Sequence, residues 1–182
     1  MDVRIFLSGP MGAGKSTLAA PLAEALGLRS IDLDEAIVAD AGKSIARIFA
    51  DDGEAAFRAL EGKAACRLLG DDGYVVALGG GTVTHPVTRR ALLHAGVLLT
   101  LRASIDVLVE RVGRTEHRPL LAGDAKARLE TLLRSRRGAY AECHGFIDSE
   151  QPLEAQVREA TRIVRERPIA VPLGERSYVV EI

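Results

Sequence analysis

Near its start the chain contains a glycine-rich segment of a kind that usually lies between a β-strand and an α-helix. Residues 9–16 read GPMGAGKS and fit the pattern G-x-x-x-x-G-K-[ST], in which glycines surround a phosphate group. An apolar run at residues 3–7 predicts a strand before this segment, and Leu18, Leu22 and Leu26 predict a helix after it. Between a strand and a helix, the backbone N–H groups of such a loop converge on phosphate oxygens, and the helix N-terminus adds partial positive charge. The sequence therefore predicts a phosphate-binding loop.

Two side chains of this loop have chemical roles in a nucleotide site. Lys15 would reach the β- and γ-phosphates, and the Ser16 hydroxyl would ligate Mg²⁺. The nucleotide-binding residues predicted in the loop are Gly12, Ala13, Gly14, Lys15, Ser16 and Thr17. The alternative is a glycine-rich strand–helix turn in which Lys and Ser occur by chance. The predicted strand and helix on either side favour the nucleotide site.

The bulk properties of the chain agree with a compact soluble enzyme. The 182 residues suffice for one α/β domain, and the formal net charge of -1 provides no general field for nucleic acid or an anionic membrane. The 4 histidines have no metal-ligand spacing, and no apolar run reaches membrane-spanning length. Cys66 and Cys143 lie far apart, which favours reduced thiols with packing roles. We therefore predict a cytoplasmic protein with no nucleic-acid or membrane partner.

Apolar runs alternate with helical stretches along the chain. The predicted strands are residues 3–7, 74–78 and 97–101, with a weaker candidate at 30–33. The predicted helices are residues 17–26, 34–40, 44–69, 86–95, 105–111, 126–143 and 153–167. This alternation predicts βαβ units and hence a P-loop type of α/β fold, with a parallel sheet covered by helices on both faces. The nucleotide would bind at the carboxyl edge of that sheet.

Two stretches interrupt the alternation of strands and helices. Residues 34–61 form a long, mainly helical insertion between strands. Residues 113–123 are polar, have glycine at both ends and carry Arg114 and Arg118, which predicts a mobile lid. In phosphoryl-transfer enzymes, such additions hold the acceptor and close over the nucleotide.

Further motifs follow the phosphate loop in a fixed order. The chain reads D-x-D at residues 32–34, S-I-x-x-I-F-x-x-x-G-E-x-x-F-R-x-x-E at 44–61, L-G-G-G at 78–81, R-P-L-L at 118–121 and R-x-x-x-Y at 136–140. Each motif alone is a weak signal. Together they resemble the shikimate kinase family, the small P-loop kinases of aromatic amino-acid biosynthesis, over residues 3–165.

The resemblance implies Mg²⁺- and ATP-dependent phosphorylation of the 3-hydroxyl of shikimate, a cyclohexene carboxylate that bears hydroxyl groups. Arg58 and Arg136 would bind the carboxylate through planar bidentate donors. Asp34 would accept hydrogen bonds from ring hydroxyls and orient the attacking one. Glu61 would hold the Arg58 guanidinium from one helical turn away, and Phe49 would wall the ring together with Phe57. The remaining substrate contacts would be the backbone N–H groups of Gly79, Gly80 and Gly81.

On the nucleotide side, the resemblance implies that Asp32 holds Mg²⁺ through water, beside Ser16. Arg118 would move in with the lid and stabilise charge on the transferring phosphoryl group. Arg111 would lie over the adenine, and Pro152 would pack behind it. The chain departs from the family at two positions. Gln151 stands where a basic residue is frequent, and Gly138 stands where R-x-P-x-Y has proline.

Structural roles compete with these site assignments. Arg58 could be a surface arginine paired with Glu54 or Glu61, and Arg136 could belong to a solvated basic face. Asp34 could cap a helix. Further alternatives are a capping role for Asp32, a flexible strand exit at Gly79–Gly81, and core packing for Phe49 and Phe57.

Two other functions stay open at this point. Another small-metabolite P-loop kinase, such as gluconate kinase, would also need to bind a polyhydroxy carboxylate. A nucleotide-dependent switch without an acceptor would need none of Asp34, Arg58 and Arg136. The F-R-x-x-E and L-G-G-G motifs favour shikimate over gluconate, and the presence of Asp34, Arg58 and Arg136 argues against the switch.

The end of the chain differs in character from the rest. We predict a kinase domain at residues 1–167, followed by a tail at 168–182 that contains two short strands around Gly174. Residues 173–178 read LGERSY and resemble the opening of 3-dehydroquinate synthase, which has a similar L-G-x-R-S-Y. This resemblance implies covalent fusion to a second enzyme of the same pathway. The alternative is a C-terminal extension of the kinase itself.

Overall fold

The computed structural model of the protein describes residues 3–70, 73–113, 125–166, 169–171 and 177–180. Its centre is a five-stranded parallel sheet in the order β2-β3-β1-β4-β5. The strands are β1 (Arg4–Ser8), β2 (Arg29–Asp32), β3 (Tyr74–Ala77), β4 (Val97–Arg102) and β5 (Gly145–Asp148). The predicted parallel α/β fold is therefore confirmed.

Helices connect the strands and cover both faces of the sheet. They are α1 (Lys15–Leu26), α2 (Leu33–Ala41), α3 (Ile45–Asp51), α4 (Gly53–Arg67), α5 (Pro86–Ala95), α6 (Ile105–Gly113), α7 (Ala125–Ala141) and α8 (Leu153–Glu166). A short 3₁₀ turn, η1 (Thr82–Thr84), precedes α5. Within the described ranges, no helix is both long enough and apolar enough to cross a membrane.

Alternate residues of the central strands supply two separate cores, which explains why these strands are apolar throughout. Ile5 and Leu7 of β1 are fully buried and pack in the same cluster as Leu18 of α1. Phe6, between them, points to the opposite face and packs in the cluster that contains Phe57 of α4. A strand covered on both faces loses the polar alternation that a half-exposed strand would have.

The parallel order brings the ends of three strands to one edge of the sheet. β1 lies at the centre, with β3 and β2 on one side and β4 and β5 on the other. The loop at residues 9–14 leaves β1, the segment 78–81 leaves β3, and Asp32 ends β2. Ligands of open α/β sheets bind where the strand order reverses beside such carboxyl ends. The sheet order thus places the loop at residues 9–14, the segment 78–81 and Asp32 at one edge of the sheet.

The predicted helix at residues 44–69 is interrupted. Ser44 caps α3, where its Oγ accepts a hydrogen bond of 3.3 Å from the Arg47 N–H. Gly53 then adopts a left-handed φ of 81°, which starts α4 in a new direction. Since only glycine takes this conformation at little cost, the break between α3 and α4 is encoded at that residue.

The edge strand β5 was not predicted from the sequence. Its four residues include only two large apolar side chains, Phe146 and Ile147, so the apolar run is too short to be distinctive. The strand is specified by its partners: Ile147 pairs with Leu101 of β4, and a Cβ on Gly145 would lie 2.7 Å from Ile163 Cδ1 of α8. Close helix–strand packing therefore requires glycine at that position.

Both cysteines are free, but only one has the predicted packing role. Cys143 is buried, and burial raises the pKa of its thiol to about 11. Cys66, near the end of α4, is exposed. The packing role predicted for Cys66 is therefore wrong.

The last described residues include two paired antiparallel strands, β6 (Ile169–Val171) and β7 (Tyr178–Val180). Ile169 pairs with Val180, and Val171 pairs with Tyr178. Both predicted strands of the tail are present. The domain boundary after residue 167 stays a prediction.

Candidate active site

The phosphate loop has the backbone geometry that its glycines predict. Gly12 and Gly14 adopt left-handed φ angles of 77° and 88°. Gly14 precedes the first turn of α1, where no side chain caps the helix, so the helix N-terminus opens toward the loop. A Cβ on Gly12 would lie 2.9 Å from Val112 Cγ2, so the loop packs tightly against α6. The left-handed φ angles at both positions, and the close approach of α6 at Gly12, therefore explain why glycine occurs there.

Lys15 folds back over the phosphate loop. Its Nζ donates to the carbonyl oxygens of Gly9 and Pro10, at 2.9 Å each. The ammonium group is thus held at the mouth of the loop. Because the lysine side chain is long and flexible, its ammonium group could donate to phosphate oxygens in place of these two carbonyl oxygens.

Ser16 and Asp32 form an oxygen-rich pair beside the loop. The Ser16 hydroxyl donates to Asp32 Oδ2 at 2.5 Å. The other carboxylate oxygen of Asp32 accepts hydrogen bonds from the Asp34 and Glu35 N–H groups, at 2.9 and 3.4 Å. Asp32 therefore caps α2, as the structural alternative predicted, and contacts Ser16 at the same time. The cap is Asp32 and not Asp34, so the capping alternative for Asp34 is wrong.

These oxygens suit a magnesium ion that is bound mainly through nucleotide phosphates. Mg²⁺ prefers oxygen ligands and is usually held by one or two protein groups together with phosphates and water. Among the described residues, no group of three or more His, Cys, Asp and Glu side chains could hold a metal by itself. A hydroxyl and a carboxylate next to a phosphate loop are the donor set that a nucleotide-bound Mg²⁺ requires.

Arg58 is held by two carboxylates of its own helix. Its Nη1 donates to Glu61 Oε2 at 2.8 Å, and its Nη2 donates to Glu54 Oε1 at 3.2 Å. Partial burial tends to lower the pKa of Arg58, but the two carboxylates outweigh it and raise the pKa. Glu61 is only 2% exposed, and its second oxygen accepts a 2.7 Å hydrogen bond from Thr82 Oγ1. The predicted Arg58–Glu61 contact is present, and so is the pairing with Glu54.

The strand exit at Gly79–Gly81 runs against these side chains. A Cβ on Gly79 would lie 2.3 Å from Glu61 Oε1 and 3.1 Å from Asp34 Oδ1. A Cβ on Gly81 would lie 2.3 Å from Arg58 Nη1. The glycines are required by close approach, not by a positive φ, and the segment is packed rather than a loose exit.

Helix α7 contacts the same segment from the opposite side. Arg136 Nη1 donates to the Gly80 carbonyl at 2.9 Å, and the Tyr140 hydroxyl donates to it at 2.6 Å. Burial raises the pKa of Tyr140, against the opposing effect of Arg136, so the phenol stays a neutral donor. Arg134 and Arg137 are exposed, whereas Arg136 is half-buried. The alternative of a solvated basic face is therefore right for Arg134 and Arg137 and wrong for Arg136.

Tyr140 was not predicted as a site residue, although its spacing was informative. Residues four apart on a helix share a face, so Tyr140 had to lie on the side of α7 that Arg136 presents. Phe57 is a core residue at 4% exposure, as its structural alternative predicted. Phe49 is 39% exposed, and its ring centroid lies 4.8 Å from that of Phe57. The core alternative is thus right for Phe57 and wrong for Phe49.

Arg111 joins the phosphate loop to the loop before α8. Its guanidinium donates to Ser149 O at 2.8 Å, to Ser149 Oγ at 3.1 Å and to Gly12 O at 3.4 Å. Pro152 lies just beyond, where its carbonyl accepts from Gln156 N at the start of α8. Ser149 was not predicted from the sequence, because no motif marks it. Arg118 and the predicted lid beyond Gly113 lie outside the described residues.

The phosphate loop and the arginine pocket are neighbours. A Cβ on Gly80 would lie 3.6 Å from Met11 N of the loop and 3.7 Å from Arg136 Nη1 of the pocket. A phosphate-binding loop that adjoins a cationic pocket at one sheet edge characterises a P-loop phosphotransferase. Comparison with known proteins identifies the phosphotransferase family to which the chain belongs. A family model described as shikimate kinase matches residues 11–165, and the chain belongs to the shikimate kinase family.

Individual proteins support the same assignment. The chain is 49% identical over 140 residues to the shikimate kinase of Halorhodospira halophila, which covers 76% of this chain and 79% of that one. A solved structure of Acinetobacter baumannii shikimate kinase in complex with shikimate superposes with a TM-score of 0.82 at 34% identity, covering 91% and 92% of the two chains. A gluconokinase from Sinorhizobium meliloti superposes less well, with a TM-score of 0.57 at 26% identity over 90% and 92% of the chains.

Proposed function

We propose that the protein transfers the γ-phosphoryl group of ATP to the 3-hydroxyl of shikimate. The observation that carries this proposal is the placement of Arg58 and Arg136, which approach Gly79–Gly81 from two different helices beside the phosphate loop. Two guanidinium groups around one glycine segment suit a carboxylate. Asp34, on the same side as Gly79, suits the hydroxyls of the ring.

Each residue of the proposed site would have its own role in phosphoryl transfer. Asp34 accepts the proton of the attacking hydroxyl or orients it, and Lys15 stabilises charge on the transferring phosphoryl oxygens. Ser16 and Asp32 would hold Mg²⁺, which neutralises phosphate charge when it is bound. Arg111 and Pro152 would border the adenine. The backbone N–H groups of residues 12–17 would bind the phosphates. Arg118 would stabilise charge on the transferring phosphoryl group.

The alternatives make different demands on the same pocket. Gluconate is a flexible chain, whereas shikimate is a rigid ring, and the packed Gly79–Gly81 segment suits a fixed shape. A nucleotide switch without an acceptor would not need Arg58 and Arg136 at the phosphate loop. We also propose a cytoplasmic location, where ATP and the acceptor are both present.

A coupled assay of ADP release tests the proposal. We expect turnover with shikimate to exceed turnover with gluconate by at least about 100-fold at equal concentration, since a rigid hydrogen-bonding site rejects an analogue that leaves its polar groups unpaired. Preference for gluconate would support the other kinase. Equal, slow ATP hydrolysis with either acid would support the switch.

Replacing Arg58 by lysine should weaken shikimate binding far more than ATP binding. Lysine keeps the charge but loses the planar fork, and a lost charge-assisted hydrogen bond corresponds to about a 10- to 100-fold rise in Kd. Calorimetric titration with each ligand measures both affinities. Arg47→Lys is the matched control, because Arg47 pairs with Asp51 on an exposed surface. Equal losses for both ligands would place Arg58 outside the acceptor site.

Replacing Gly81 by alanine should displace the Arg58 guanidinium, since the new Cβ would lie 2.3 Å from Nη1 and 2.6 Å from Cζ. The side-chain end can move, so we expect a normal melting temperature but a KM for shikimate raised by about tenfold. Gly62→Ala on α4 is the control, because its Cβ would lie 3.8 Å from Thr88 Oγ1. An unchanged KM for shikimate in Gly81→Ala would contradict the role of this contact.

Removing residues 168–182 should leave kinase activity intact. All residues proposed for the site precede residue 167, and β6 pairs with β7. We expect KM values within about twofold of the full chain and a stability loss of at most about 1–2 kcal/mol. Steady-state kinetics and thermal melting check both. A folded, truncated protein that no longer binds shikimate would show that the tail serves the kinase site. The fused 3-dehydroquinate synthase domain stays a prediction.

A further inference from the structure

A buried ion pair outside the pocket joins helix α5 to the end of helix α7. Arg89 Nε donates to Glu142 Oε2 at 2.5 Å. Their side chains are only 11% and 10% exposed, and the two residues are 53 positions apart in the chain. No sequence motif marked either residue, and neither belongs to the site proposed above.

The same arginine also holds the turn that follows the glycine segment. Arg89 Nη1 donates to the Val83 carbonyl at 2.7 Å. Val83 lies in η1, whose first and last residues, Thr82 and Thr84, bond back to Gly79 and Gly81 through their N–H groups at 3.2 and 2.9 Å. A shift of Val83 would therefore be transmitted directly to the glycine segment.

The glycine segment and the turn after it are both held from α7 and the residue that follows it. Arg136 and Tyr140 of α7 hold the Gly80 carbonyl. Glu142, directly after α7, holds Val83 through Arg89. These contacts form a closed series that begins at Arg136 of α7 and returns through Gly80, η1 and Arg89 to Glu142.

A buried ion pair is a weak source of net stability, because removing two charges from water offsets most of their attraction. Its directional hydrogen bonds nevertheless fix geometry. We propose that Arg89 and Glu142 are positioning residues for the acceptor site: they hold the Gly79–Gly81 backbone in register with Arg136. This inference rests on the proposed function for its kinetic part only. Arg89 contacts η1, which directly follows the glycine segment of the acceptor side, so the influence of the pair should fall on shikimate and not on ATP.

The test uses the full chain with both partners replaced, Arg89→Met and Glu142→Leu together, so that no unpaired charge stays buried. We expect the KM for shikimate to rise by at least about tenfold, while the KM for ATP stays within about twofold. Hydrogen exchange of the ligand-free protein gives a second readout. Amides in residues 79–85 should exchange at least about tenfold faster, whereas those in residues 9–16 should not change.

Ile163→Val is the control for a loss of stability alone, since Ile163 is buried on α8, away from these contacts. It should lower the melting temperature without separating the two KM values. If the double variant does not fold, Arg89→Lys decides, because lysine keeps the charge but cannot reproduce both guanidinium contacts. Unchanged exchange in residues 79–85, or equal changes in both KM values, would overturn the proposal. Absence of shikimate turnover in the unaltered protein would instead reject the proposed function, and the exchange test would still stand.

Discussion

Lys15→Ala should lower kcat by about 100- to 1,000-fold, the effect of removing one preorganised contact to charge that develops in the transition state. In the structure, Lys15 Nζ is held at the mouth of the phosphate loop by the Gly9 and Pro10 carbonyls. From there it would reach the transferring phosphoryl group. The fold should survive, because α1 keeps its apolar contacts and alanine is a strong helix former.

Steady-state kinetics and a thermal melt of the variant measure both expectations. Lys63→Ala on α4 is the matched control, since Lys63 is an exposed lysine of a helix. It should have normal kcat and normal KM values. A folded Lys15→Ala protein with near-normal kcat would contradict the assignment of the phosphate loop.

Asp34→Asn should lower kcat by about 100- to 10,000-fold, the range for losing a positioned general base. The substitution keeps the size of the side chain and removes its charge. Asp34 lies in the first turn of α2 behind the Asp32 cap, and its Oδ1 is close to Gly79. An amide there could still contact the ring hydroxyls, so we expect kcat to change more than the KM for shikimate.

Single-turnover kinetics would separate the chemical step from substrate binding. Asp40→Asn on the same helix is the control, because Asp40 pairs with Arg67 at the surface. It should leave both constants unchanged. If Asp34→Asn retained kcat while binding shikimate weakly, Asp34 would be a binding residue without a part in catalysis.

The sequence predicted the elements whose patterns are local. The strand before the phosphate loop, the loop itself and the start of α1 are encoded within one continuous stretch of chain. The parallel sheet followed from the alternation of strands and helices. β5 was missed because its identity depends on pairing with β4 and on Ile163 of α8, which are contacts with residues distant in sequence.

Motif residues of the site could be predicted, but their supports could not. Arg58 and Glu61 share a helix turn, so their contact followed from their spacing. Arg136 and Tyr140 lie 56 and 60 positions after Gly80, to whose carbonyl oxygen they donate hydrogen bonds. These contacts form only when α7 packs against the segment that follows β3. Arg89 is the extreme case, because nothing in its neighbourhood on α5 distinguishes it from an ordinary surface arginine.

The position of the phosphate on the reaction product decides whether the protein phosphorylates the 3-hydroxyl of shikimate. The protein would be incubated with ATP, Mg²⁺ and shikimate, and the product examined by phosphorus–proton correlation NMR. We expect one phosphorylated acid, with the phosphorus coupled to the proton on carbon 3 of the ring, formed in equal amount to ADP. Phosphate attached at another hydroxyl, or ADP formed with free phosphate and unmodified shikimate, would contradict the proposed function.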